Sequence, residues 1–452
     1  MCGDGELSEL TRIEFNRGDV KTRILDEMPS KVYDNLVKRV VNHYLKSKDF
    51  NGYPLNVPGL DPLFPPDQLR AFLRPLIASG RVIARYADWE INVFIKRLPD
   101  EPIEAQLKML EASKLEYVVL YPTTKELKKI VKPNKYKGRP FSLMLALGVA
   151  QLDFRCFDLS VLEIYRNDPR YYYRVGDTEG MISISDEFYR SRQMAKSDQV
   201  LLQTFGFAYD DKMNRAVAVF IRYLHGLSPE HQQIWNAKLL RRKFKLHPDY
   251  FTASVTGHWP TKIPIVSAFI LELHHINKMC ELIGKRPLFL HTFGDTKRPR
   301  GFTFLIRPTA KEFNDFILLL DRAMSDNINK KFFQGEISLE EEIPRKDGKV
   351  EVRQKGTIAL LEEYIKFRWR SPDPTLEQEM IQTFRHVRKL RQQPAHAVTD
   401  DHFDQALFKE QRQLLIRAYK ALRHIRLIFA NHPNVAGYKV EELLFKGAIR
   451  DF

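Results

Sequence analysis

The chain has 452 residues, 44% hydrophobic and 29% charged, and its 72 Lys and Arg against 57 Asp and Glu leave a net charge of +15. That length implies about two to four domains with cores large enough to fold without disulfide or metal staples, and the cation excess points to an anionic partner, nucleic acid foremost. A disulfide framework and a Cys-rich zinc site are excluded, because Cys2, Cys156 and Cys280 form no CxxC. So is a membrane span, since the longest apolar run, Phe141 to Ala150, is about half the roughly 20 residues a bilayer needs.

The start, Met1-Cys2-Gly3-Asp4-Gly5-Glu6, carries no basic segment before an apolar one, and Cys2 stands where myristoylation needs Gly. A cytoplasmic protein is expected. Residues 1–150 read as a mixed α/β region. Leu36, Val40, Val41 and Tyr44 share a helical face, and Pro54, Pro58, Pro62, Pro65 and Pro66 then break the pattern. The pattern predicts a strand pair at Val82–Tyr86 and Ile91–Ile95, a helix at Ile103–Ala112 and a strand at Tyr117–Tyr121. From Lys125 to Arg139 the cations Lys125, Lys128, Lys129, Lys132, Lys135, Lys137 and Arg139 surround Tyr136. This stretch is either a solvated helix face or a surface that follows a phosphate backbone. Lys128, Lys129 and Lys132 are its candidate nucleic-acid contacts.

Residues 151–334 read as an α+β domain. Hairpins are predicted for Tyr171–Val175 with Met181–Ile184 and for Phe205–Tyr209 with Ala216–Ile221. Ser228-Pro229-Glu230 opens one helix; Thr309-Ala-Lys-Glu312 is a capping box for another that places Phe313, Phe316, Ile317 and Leu320 on one side. Between them Lys238, Arg241, Arg242, Lys243 and Lys245 form a second basic stretch. Arg241, Arg242 and Lys243 are its candidate nucleic-acid contacts. His274 and His275 are adjacent on a helix, point about 100° apart and do not converge on one metal. No metal is expected.

Residues 335–354 read as a linker or hairpin and 355–452 as a helical domain. Helices are predicted over Thr357 to Trp369, from the capping box Thr375-Leu-Glu-Gln378 to about Arg391, over Phe403 to Ala430, and over Val440 to Phe445. The fold class is therefore α+β multidomain, with mixed α/β N-terminal and middle regions followed by an all-α C-terminal bundle.

The chemistry centres on Arg391-Gln-Gln-Pro-Ala-His396. Arg385, Arg388 and Arg391 lie on one helical stripe, and Pro394 ends the helix, so His396 falls just past it and can fold back towards Arg391. A guanidinium matches phosphate oxygens and an imidazole serves as acid or base near neutral pH, the two tasks of metal-free RNA cleavage. Arg242 with His247 and Arg286 with His291 share the spacing but not the helix-end setting. Gly356 to Phe452 resembles the HEPN family of helical domains, many of them metal-independent ribonucleases marked by an Arg and a His with four to six residues between them. The resemblance implies catalysis by Arg391 and His396 in a composite site across a homodimer, with Gln392 and Arg388 in support, RNA as substrate, and a toxin or anti-phage role; a further reading is a toxin whose front domains regulate it through contact with a regulatory protein partner. Gln392 departs from the usual Asn, Asp or His, and Val398 stands where a subset has Tyr. The alternative is a non-catalytic nucleic-acid-binding or dimerising scaffold. With no Walker A loop, GxGxxG, GxSxG or HExxH in the sequence, no cofactor is expected.

Overall fold

The computed structural model describes residues 30–56, 66–90, 92–96, 100–191, 195–258, 261–293, 298–299, 301–345, 349–369, 374–392 and 400–452. In chain order the elements are α1 (Ser30–Lys46), β1 (Tyr53–Asn56), α2 (Pro66–Ala78), β2 (Val82–Tyr86), α3 (Ile103–Ala112), β3 (Val118–Pro122), α4 (Thr124–Ile130), α5 (Pro140–Ala146), β4 (Phe154–Phe157) and α6 (Glu163–Arg166). Then come β5 (Tyr171–Val175), β6 (Glu179–Ile184), α7 (Asp186–Ser191), β7 (Leu201–Tyr209), β8 (Arg215–Phe220), α8 (Ile221–His225), α9 (Pro229–Ala237), β9 (Lys245–Leu246) and α10 (Pro248–Phe251). The C-terminal part holds β10 (Ile263–Pro264), α11 (Ile265–Leu282), α12 (Ala310–Met324), β11 (Glu340–Pro344), β12 (Val350–Gln354), α13 (Thr357–Arg368), α14 (Pro374–Gln392), α15 (Ala406–Ala430), α16 (Glu442–Phe445) and β13 (Ile449–Arg450). The chain is mixed α/β with a helical C-terminal region, and no helix among the described residues is long and apolar enough to cross a membrane.

Two compact units share these elements. The first holds the described residues up to Arg155 with Ala195–Gln199 and Val219–Ala237; the second holds Cys156–Met194, Val200–Ala218 and Lys238–Phe452.

In the first unit β1, β3 and β2 make an antiparallel sheet in that order. The expected partner for β2 was Ile91–Ile95. Instead Asn92 to Ile95 turn, with the Asn92 side chain accepting from the Phe94 N–H at 3.0 Å, and β3 fills that place from beyond α3. β2 and β3 are buried along their whole length, so neither shows the alternation that would have exposed the pairing. The strand β1 was not predicted. It carries Pro54 at the sheet edge, where a missing donor is tolerated. Gly52 precedes it because a Cβ there would stand 2.4 Å from Val119 Cγ1. α1 covers β3 with Leu36, Val37, Val40, Val41 and Tyr44, all buried, as their helical spacing requires.

In the second unit β5, β6, β7 and β8 form an antiparallel meander, and β9 pairs with β7. The predicted hairpins are both present. Gly206 lets β7 pass the Tyr250 ring, which would lie 2.1 Å from a Cβ at that position. α15 buries Leu414, Leu415, Ala418, Leu422, Ile425 and Phe429, a stripe too wide for one neighbour. It packs against both α11 and α14; α12 also lies on α14, so the bundle extends beyond the segment 355–452. The buried salt bridge between Arg426 and Glu272 joins α15 to α11, with Nε donating at 2.5 Å.

Candidate functional site

α14 covers Pro374–Gln392, so the expected capping Thr375 lies inside the helix, and the stop expected from Pro394 lies outside the described residues. The three-residue spacing of Arg385, Arg388 and Arg391 sends all three to carboxylates on neighbouring helices. Arg385 pairs with Glu362 of α13. Arg388 donates from Nε to Asp321 at 3.0 Å and from Nη2 to Asp326 at 2.7 Å. Arg391 donates from Nη1 to both carboxylates, at 2.6 Å each. Asp321 is fully buried at the C-terminal end of α12, while the arginines keep about a third of their side-chain surface. Bonding to Asp321 above all, and then to Asp326, raises the Arg391 pKa from its ordinary value. Two arginines and two aspartates balance, so the cluster has no net charge. Gln392 is exposed, and His396 lies outside the described residues.

Asp321 and Asp326 are the residues that sequence reasoning missed. The signal was a carboxylate on an apolar stripe: Asp321 follows Ile317 by four residues on the side that carries Phe313, Phe316 and Leu320. A buried carboxylate at that position needs a cation. Glu272 gave the same signal among Phe269, Leu273 and Ile276 of α11.

The first basic stretch has a different setting. Thr123 caps α4 by accepting from the Glu126 N–H at 3.4 Å, and Leu127 anchors the helix in the core. Lys125, Lys128 and Lys129 consequently share the outward face. A short 3-10 turn, Pro133–Tyr136, and Gly138 at φ +75° carry the chain on to Arg139. Lys125, Lys128, Lys129, Lys132, Lys135, Lys137 and Arg139 are all exposed. Lys129 pairs with Glu126 at 2.7 Å, and the others have no ion pair among the described residues. In the second unit Arg241, Arg242 and Lys243 are exposed too, but Arg242 reaches Asp210 at 3.4 Å and lies over the Phe244 ring. That stretch is the more nearly neutralised of the two.

The remaining histidines are engaged or apart. His247 is buried, its Nδ1 accepting from the Asp249 N–H and its Nε2 bonded to a main-chain oxygen of Phe452. His291 is exposed, and Arg286 bonds Gln334. His275 bonds the Tyr438 hydroxyl at 2.8 Å and Glu441 at 2.6 Å, and its ring stands edge-on to that of His274 with centroids 5.5 Å apart. Among the described residues no group of three His, Cys, Asp or Glu gathers within reach of one metal ion. A cleft of about 360 Å³ is lined by Thr178, Asp249, Tyr250 and His258, but Arg450 already binds the Asp249 carboxylate through two bonds.

No protein-family model, curated protein or solved structure matches this chain.

Proposed function

We propose that the protein binds nucleic acid, with RNA as the partner that the sequence favours. The carrying observation is the run of exposed cations from Lys125 to Arg139, almost all without a carboxylate. Unpaired lysines on a short helix and the turn after it neutralise phosphates without reading bases, and each contact releases a counterion on binding. The test is the salt dependence of binding to labelled single-stranded RNA, comparing the native chain with Lys128→Ala/Lys132→Ala/Lys135→Ala. The log–log salt slope should become shallower by about 2, with the thermal melt unchanged. An unchanged slope, or no binding at low salt, overturns the proposal.

A second reading, the metal-independent HEPN-type endoribonuclease, is favoured by one feature. Asp321 and Asp326 hold only Nη1 of Arg391; Nε and Nη2 have no bond among the described residues, and His396 follows five residues on in the sequence. A carboxylate-oriented fork of this kind can still receive a phosphate oxygen. Cleavage of labelled RNA in excess EDTA by the native chain, lost in His396→Ala and Arg391→Ala with unaltered melting, supports it. Equal cutting by all three sinks it. The toxin or phage-defence role and the homodimer implied by the family resemblance stand or fall with this reading.

A further inference from the structure

β11 and β12 form a two-stranded antiparallel ribbon with Glu340 opposite Gln354, Ile343 opposite Glu351 and Pro344 opposite Val350. The Arg345 N–H donates to the Lys349 carbonyl at 2.8 Å and the Lys355 N–H to the Leu339 carbonyl at 2.9 Å. Lys349, Glu351, Arg353 and Lys355 therefore turn their main-chain groups towards β11. Val350, Val352 and Gln354 turn theirs outward. Among the described residues no strand meets that outer edge, and Val350 and Val352 are each 57% exposed. A lone ribbon with an open, β-branched edge is marginally stable and templates further pairing.

We propose that β12 is a self-association edge, pairing antiparallel with β12 of a second copy about a twofold axis at Val352. The strand is complementary to its own reverse. With the axis at Val352, Val352 meets its twin, Glu351 faces Arg353 of the other copy, and Arg353 faces Glu351. The main-chain directions agree: outward-facing Val350, Val352 and Gln354 fall on hydrogen-bonded pairs. Glu351 and Arg353 fall on the other type of pair, where side chains approach most closely. Within one copy the two already share a face, with Arg353 Nη2 3.4 Å from Glu351 and both well exposed. Pairing would set each Arg353 between Glu341 of its own ribbon, its partner across β11, and Glu351 of the second copy. The register is selective, since moving the axis to Glu351 or to Arg353 places like charges on it. The alternative edge, β11, carries Glu340, Glu341 and Glu342 and repels its own copy.

The test uses the full chain without nucleic acid, so it is read separately from the binding proposal. Sedimentation over a concentration series should show a monomer–dimer equilibrium. Glu351→Arg and Arg353→Glu should each weaken it about tenfold or more, because both symmetric contacts become repulsive. Mixing the two variants should restore association, since the mixed pair opposes unlike charges at both contacts. Under mild oxidation Val352→Cys should cross-link, its Cα atoms about 5.5 Å apart. The equally exposed Val350→Cys should not, because its twin would lie about 14 Å away. A native chain that stays monomeric, a mixture no tighter than either variant alone, or equal cross-linking at both positions overturns the proposal.

Discussion

Cations meet opposite circumstances in the two units. Between Lys125 and Arg139 the first unit leaves lysines in solvent, with one ion pair among the described residues. The helical layer of the second ties Arg385, Arg388, Arg391 and Arg426 to carboxylates. A net charge of +15 is thus not uniformly available to a ligand. An arginine already facing a buried carboxylate stabilises the fold. A lysine facing water costs the fold almost nothing, and its field acts on whatever anion approaches.

Removing a buried partner should produce the largest effect. Glu272→Ala strands Arg426 in a site where both side chains are nearly inaccessible. Burial alone pushes the Glu272 carboxyl up, and the Arg426 bond opposes it. Denaturant unfolding should show a loss of about 3–5 kcal/mol. A loss below about 1 kcal/mol would mean that water reaches the pair and that these arginines are little more sequestered than the exposed lysines.

Asp321→Asn should cost less, about 1.5–3 kcal/mol, because Arg388 and Arg391 are a third exposed and keep Asp326. It also sharpens the comparison. If pairing is what keeps these arginines from anions, Asp321→Asn/Asp326→Asn should steepen the salt dependence of RNA binding by about 1. Should the slope stay put, the arginines are kept from RNA by their position and not by their partners.

The parts legible in the sequence were those set by local periodicity. Thr309 accepts from the Glu312 N–H as the capping box required, and Phe313, Phe316, Ile317 and Leu320 line the buried side of α12, all but one to 2% or less. Partners distant in sequence were not legible. Nothing in the period of α14 names Asp321, seventy residues away from Arg391, and nothing in β2 names β3 over a nearer apolar stretch. Periodicity says which face is buried; it does not say against what.

Histidines extend the contrast to a smaller effect. His225 of the first unit donates from Nε2 to the Lys48 carbonyl at 3.0 Å, and its Nδ1 is hydrogen-bonded with the Ser142 hydroxyl at 2.8 Å. Burial holds its pKa below the ordinary 6.5. The unfolded chain then takes the proton first, so this contribution is complete above about pH 6.5 and is lost as pH falls towards the folded value. Its slope in that window is at most about 1.4 kcal/mol per pH unit. Comparing unfolding at pH 7 and pH 5.5 in the native chain and in His225→Gln isolates it. Parallel pH profiles would show that the ring titrates as if in water.

The smallest effect is the one on which the comparison rests. Lys128→Ala removes an exposed side chain with no ion pair among the described residues, so its unfolding free energy should stay within about 0.5 kcal/mol of the native value. RNA affinity at low salt should nevertheless fall, with the salt slope shallower by about 0.7, one phosphate contact on a single strand. A lysine that stabilised the fold measurably would have an intramolecular role, and the stretch around it would belong with the paired arginines. A residue neutral to folding yet felt by a polyanion is the signature of a surface whose charge is left for a partner.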